Sequence, residues 1–219
     1  MAKSIALPNG ATLELAIGFA ASKIISAISN ANPAVATAAA NGLADGDIIL
    51  LESSWGKLDG RAARVIDAET GEFSLENIST LNTDFYTVGG GAGGFQSVTG
   101  WVGITKVTGV SLTGGEQQFL TVGYLEDDDD RQFPTNRNPM SMAITVEDQP
   151  SAAYVPVAEG YTNNKTQTIM RLNLPSGDKI LYPGFCTITD TPTMERNQLM
   201  TRTVNFALSG RPIRYLKAA

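Results

Sequence analysis

Apolar and polar residues alternate with a period of two along most of this chain, the pattern of half-buried β-strands. Residues 12–19 set Leu13, Leu15, Ile17 and Phe19 against Glu14, Ala16 and Gly18. The Ala-rich stretch 31–44 is broken by Asn32, Pro33, Asn41 and Gly42 at intervals too short for a stable helix, so 34–39 reads as a strand ending in a turn. The unalternated run Ile48 to Leu51 predicts a strand buried on both faces. Turns at Asp45-Gly46, Asp59-Gly60 and Thr70-Gly71, spaced by roughly 10 to 14 residues, mark a small all-β unit. It ends in the tract 89–94, five glycines and Ala92, which reads as a flexible linker.

Alternation resumes at Trp101 through Val102, Ile104, Val107, Val110 and Leu112, and continues from Phe119 to Tyr124. Glu126, Asp127, Asp128, Asp129 and Asp130 then interrupt it. Five adjacent carboxylates cannot be packed inside a sheet, so they belong on a loop or an exposed strand end. Pro134, Asn136, Asn138 and Pro139 extend the expected loop to Met140, about fifteen residues in all. A strand follows over 141–146. Residues 151–161 predict one short helix, with Ser151 as N-cap and Pro156 limiting it to a turn or two. Strands over 167–174 and 179–189 flank the turn Pro175-Ser176-Gly177-Asp178, and a further strand over 200–208 turns at Gly210-Arg211-Pro212 into a short terminal one.

Composition narrows the chemistry. The chain of 219 residues has no histidine, and Cys186 is its one cysteine. Ser/His/Asp or Cys/His catalysis, His-ligated zinc and intrachain disulfides are therefore excluded. Sixteen basic against 22 acidic residues give a net charge of −6, which opposes a role in gripping nucleic acid phosphates. Met1 to Gly10 lacks the apolar core of a secretory signal, and no stretch approaches the roughly 20 apolar residues of a membrane span, so a cytoplasmically made protein without membrane insertion is expected.

The C-terminal half carries a resemblance. Pro175-Ser176-Gly177, Gly184-Phe185, Pro192-Thr193, Asn197, Met200 to Val204 and Gly210-Arg211-Pro212, in that order, resemble the major tail tube protein of lambda-like siphophages, whose tails are long and non-contractile. The acidic stretch from Tyr124 and the proline-rich segment after it resemble the same family. Ile28, Asn32 to Val35, Gly42 to Asp47, Leu58 to Arg61, Arg64-Val65, Phe73 and Leu75 are similar to a small β-barrel repeat of phage structural proteins. The resemblance implies an all-β tail-tube sandwich or half-barrel, residues 1–25 and 100–219, with one short helix and an inserted small β-barrel over 26–99. It further implies homohexameric rings stacked into a hollow tube in the virion tail. Viral DNA would pass through that tube without specific binding, and a tape-measure protein, tail terminator and distal tail proteins would be partners. No cofactor and no catalysis are implied.

Two charged groups stand out on that reading. Glu126 to Asp130 carry −5 and would line the lumen or reach the next ring. Arg196, Arg202, Arg211, Arg214 and Lys217 carry +5 over a segment without acids, a candidate complementary patch for head-to-tail stacking. The acidic run lacks the alternating ligands and central glycine of a calcium loop, and the glycine tract lacks the Lys-Ser/Thr pair of a phosphate loop. A glycosidase needs two carboxylates flanking a sugar, and no pocket signal accompanies the isolated acids here. The competing reading is a calcium- or carbohydrate-binding β-sandwich module.

Overall fold

The computed structural model describes residues 9–217; Met1 to Pro8, read above for a signal segment, and the last two residues lie outside the described residues. The first half is built of β1 (Thr12–Phe19), β2 (Lys23–Ile25), β3 (Ala27–Ile28), β4 (Ala34–Thr37), β5 (Ile48–Ser53), β6 (Ala62–Ile66) and β7 (Glu72–Leu75). Then come β8 (Gly93–Ile104), β9 (Val107–Thr113), β10 (Gln117–Val122), β11 (Arg131–Arg137) and β12 (Ser141–Glu147). Helix α1 (Tyr154–Asn164) precedes β13 (Gln167–Asn173), β14 (Lys179–Ile188), β15 (Thr201–Leu208) and β16 (Ile213–Tyr215). The fold is all-β with one short helix, as the alternation predicts.

Strand neighbours run β3-β4-β7-β6-β5-β8-β1-β13-β14-β15-β12-β9, with β16 beside β14 and β2 beside β8. β8 is the hinge of this path. Its first half pairs with β2 and β5, its second half with β1. The β13–β14 pair separates two cores, because successive side chains point to opposite faces. Ile169 and Leu181 join Leu51, Phe73, Phe95 and Tyr215 on one side, whereas Met170 and Tyr182 join Leu15, Ile144, Phe206 and the helix residues Tyr154 and Ala158 on the other. Burial on both faces explains why β13 and the run 48–51 lack alternation. Trp55 is buried edge-on to Tyr86, and its Nε1–H donates to the Thr87 carbonyl.

Three expectations are corrected. The helix begins at Tyr154, not Ser151, with Ala153 at the N-cap and no side-chain cap bond. Pro156 therefore lies in the first turn, where its missing N–H breaks no intrahelical bond, and the helix runs for three turns until Lys165 adopts φ 54°. The glycine tract is no linker. Gly90 and Gly91 lie against the Trp55 ring, and Gly93 opens β8 so close to β5 that a Cβ there would stand 2.1 Å from the Glu52 carbonyl oxygen. The fifteen-residue loop is in large part a strand, because residues 131–137 pair with β10. Pro134 is accommodated opposite Phe119 since a two-stranded ribbon leaves outward N–H positions unused.

The close approach of β8 to β5 predicts an asymmetric response along β8. Gly93→Ala is expected to lower unfolding stability by about 2 kcal/mol, the scale of forced overpacking. Gly103→Ala, where a Cβ would meet nothing within 4 Å, is expected to change it by less than about 0.5 kcal/mol. Denaturant titration of the two variants checks this; equal effects would contradict it.

Candidate assembly surface

β12 sets the frame of this surface. Its buried residues Met142, Ile144 and Val146 face the helix-side core, and the edge strand β9 pairs along it with Leu112 opposite Met142 and Val110 opposite Ile144. Leu112 and Val110 continue the same apolar stripe beyond the cover of the helix and are about half exposed. The other side of β9 has no pairing strand among the described residues. Beyond its end the chain leaves the sheet altogether. Asn138 N–H donates to the Glu116 carbonyl, closing the base of the β10–β11 hairpin, which forms a separate two-stranded sheet.

The register of the hairpin decides which residues share a face. Leu120 lies opposite Phe133 and Val122 opposite Arg131 on one face; Phe119 with Pro134 and Thr121 with Gln132 occupy the other. Apolar side chains thus stand on both faces, with Phe119 54%, Leu120 56% and Phe133 47% exposed. At the tip Leu125 is completely exposed beside Tyr124. The strand character of Phe119 to Tyr124 is legible in the sequence, but Phe133 is hidden because Pro134 and the asparagines disguise β11.

The five acids occupy the hairpin tip between Val122 and Arg131. Asp127 accepts from Arg131 at 2.7 Å, four residues on. Glu126, Asp128, Asp129 and Asp130 have no ion-pair partner among the described residues, where no three potential metal ligands converge either.

The basic residues are dispersed rather than gathered. Arg196 lies in the loop between β14 and β15, which enters the sheet beside the Glu147 end of β12, whereas the hairpin springs from the Ser141 end. Arg202 is largely buried with its Nε 2.7 Å from Asp148 Oδ1. Arg214 donates through Nε and Nη2 to Asp178, at 3.1 and 2.5 Å, and Lys217 N–H donates to the other oxygen of the same carboxylate. Arg211 lies exposed near the hairpin base. Folding therefore matches two of the five cations to carboxylates distant in sequence, which the linear charge count does not show. The Arg214 guanidinium, followed by the Lys217 N–H, holds the Asp178 carboxyl below its ordinary range. Across β1 and β13, burial pushes Glu14 up, but hydrogen bonds from Asn173 and Arg171 outweigh it and leave the carboxyl lowered.

Residues 53–217 match the family model described as phage tail tube protein, TTP. The chain belongs to the phage tail tube protein family. None of the curated proteins matches this tail tube chain. Among solved structures it is similar to a chain of the tail of an empty GTA particle, computed with helical refinement under C6 symmetry. The two are 13% identical, with 55% of this chain and 89% of that chain covered and a TM-score of 0.42. Among the described residues of the tail tube chain, no helix is long and apolar enough to cross a membrane.

Asp178 gives a pH prediction. A carboxyl with a lowered folded pKa stabilises the fold fully above its unfolded pKa and ceases to do so as pH falls through the folded value. Asp178→Asn is therefore expected to lower the melting temperature at pH 7. The gap to wild type is expected to close as pH falls below the ordinary carboxylate range. A pH series of thermal melts checks it; a gap constant from pH 7 to pH 2 would contradict the assignment.

Proposed function

We propose that this chain is the repeating subunit of a hollow tail tube of the long, non-contractile, siphophage type, assembled as hexameric rings stacked end to end. The observation that carries the reading is the apolar surface left open on β9 and on both faces of the β10–β11 hairpin. Covering half-exposed Leu and Phe side chains contributes on the order of 1 kcal/mol each, which favours association alongside backbone pairing at the β9 edge but does not carry it alone. The pairing edge of β9 gives neighbours within a ring a template for continuing the sheet around the tube, which removes open edges. The hairpin, projecting beyond the strands, suits contact with the next ring. Such heterologous contacts do not close along the axis, so they build a filament rather than a dimer.

The charge fits a conduit. A net charge of −6 disfavours phosphate binding, and negative walls screened over about 8 Å at physiological salt keep DNA off the surface without opposing its passage. The work is mechanical, with no reaction catalysed. The protein acts in the virion tail after assembly in the host, with the tape-measure, terminator and distal tail proteins as its partners.

Negative-stain images of concentrated wild-type protein are expected to contain rings or tubes. Replacing 117–137 by a two-residue turn between Glu116 and Asn138, whose backbones already hydrogen-bond, is expected to give a folded protein that forms no tubes. A wild-type chain that stays monomeric at every concentration contradicts the tube, and normal tubes from the hairpin deletion contradict the role given to the hairpin.

A further inference from the structure

A second charged feature lies away from the hairpin tip. The turn around Gly56–Arg61, the segment holding Phe85 and Tyr86, and the turn Ser209–Arg211 enclose a recess of about 370 Å³. Lys57, Arg61 and Arg211 line it against a single acid, Asp59, whose Oδ1 is already occupied in accepting the Ser53 N–H. Arg64, Arg171, Arg202 and Arg214 each have a carboxylate partner, but among the described residues these three cations have none. Arg61 is the sharpest case. Its Nε is buried without an acceptor, and a buried charged donor left unpaired is costly. The Lys57 ammonium stands 2.7 Å over the Phe85 ring, which holds it on the wall of the recess while leaving the ring half exposed.

We propose that this recess receives the acidic hairpin tip of a second copy of the chain. The inference rests on the tube reading, since it requires copies in contact. The complementarity is specific in kind: the tip offers Leu125 and four unpartnered carboxylates, and the recess offers an exposed aromatic ring and three unpartnered cations. The tip of the same chain cannot fill it. Arg211 also lines the hollow at the hairpin base, beside Gln117 and Arg137. The tip stands five residues further along β10, about 17 Å at ~3.4 Å per residue. Two of the three cations, Lys57 and Arg61, come from a turn more than 130 residues before the C-terminal basic segment. The recess therefore replaces a patch read along the sequence by one assembled in space.

Charge reversal tests this on the full chain. Lys57→Glu with Arg211→Glu, and separately Asp128→Lys with Asp129→Lys, are each expected to raise the protein concentration needed for tubes by about tenfold or more. All four substitutions in one chain are expected to restore it to within about threefold of wild type. A second variant pair does not depend on charge. Lys57→Cys with Asp129→Cys, treated with a short bis-maleimide, is expected to give a ladder of linked chains on a denaturing gel. Cys186 stays silent because burial pushes its thiol up to about 12. Wild-type protein that never forms tubes would overturn the tube reading itself. Wild-type tubes together with reversals that assemble unchanged, a four-fold variant that does not recover, or double-cysteine tubes that give no ladder would overturn the recess alone. Inorganic phosphate added to the wild type separates the sources of the anion. Tubes that form equally well in saturating phosphate, with the reversals also silent, would leave the recess a plain anion site and refute its role in docking.

Discussion

A two-stranded ribbon cannot bury its own side chains. It has two faces and no third layer, so a large apolar residue on either face meets water unless something outside the ribbon covers it. The β10–β11 hairpin carries Phe119 on one face and Leu120 with Phe133 on the other, joined to a sheet whose edge strand leaves Val110 and Leu112 beyond the reach of the helix. Exposed apolar side chains occur on the rest of the molecule too, Ile24, Val88 and Met194 among them, but its strands also enclose packed cores. β13 and β14 hold a packed core on each side, and the one opposite the helix locks the C-terminal strand against β6 through the buried Tyr215, whose hydroxyl accepts the Arg64 N–H. A double-cored body with an unfinished ribbon and edge suits the proposed role of a polymerising subunit.

Electrostatics follow the same division. Inside the body, cations are matched by the fold: Arg171 lies over Trp101 and pairs with Glu14, Arg202 pairs with Asp148, and Arg214 pairs with Asp178. Among the charges without ion-pair partners, two opposed groups would meet on the proposed docking, the acids of the hairpin tip and the cations Lys57, Arg61 and Arg211 of the recess. Each group lies beside an exposed apolar side chain, Leu125 at the tip and Phe85 at the recess, and exposed pairs contribute little to a monomer but do set register between copies.

Most strands were legible because each has one buried face. Residues 12–19 form β1 with the expected limits, although a bulge near Gly18 breaks the alternation, burying Ala16 and exposing Ile17, and the apolar run from Ile48 forms the doubly buried β5. The tip acids were placed correctly on an exposed turn for the same reason, since ionised carboxylates stay in water. What was not legible depended on distance in sequence. Nothing local shows that Asp178 would neutralise Arg214, that Trp55 would lie against Gly91, or that Arg211 would meet a turn from the first half of the chain. β11 was hidden for another reason. A ribbon without a core places no constraint on alternation, so Pro134 and three polar neighbours looked like loop.

Hydrogen exchange on the free and the assembled protein tests the central claim most directly, that β9 and the β10–β11 hairpin are surfaces completed by other copies. The account predicts that the amides of 107–113 not bonded to β12, and those of 117–137, exchange faster in the monomer than amides of the central strands and become protected on assembly, with little change over 154–164. Protection confined to the helix, with the hairpin exchanging as fast in tubes as in solution, would contradict it.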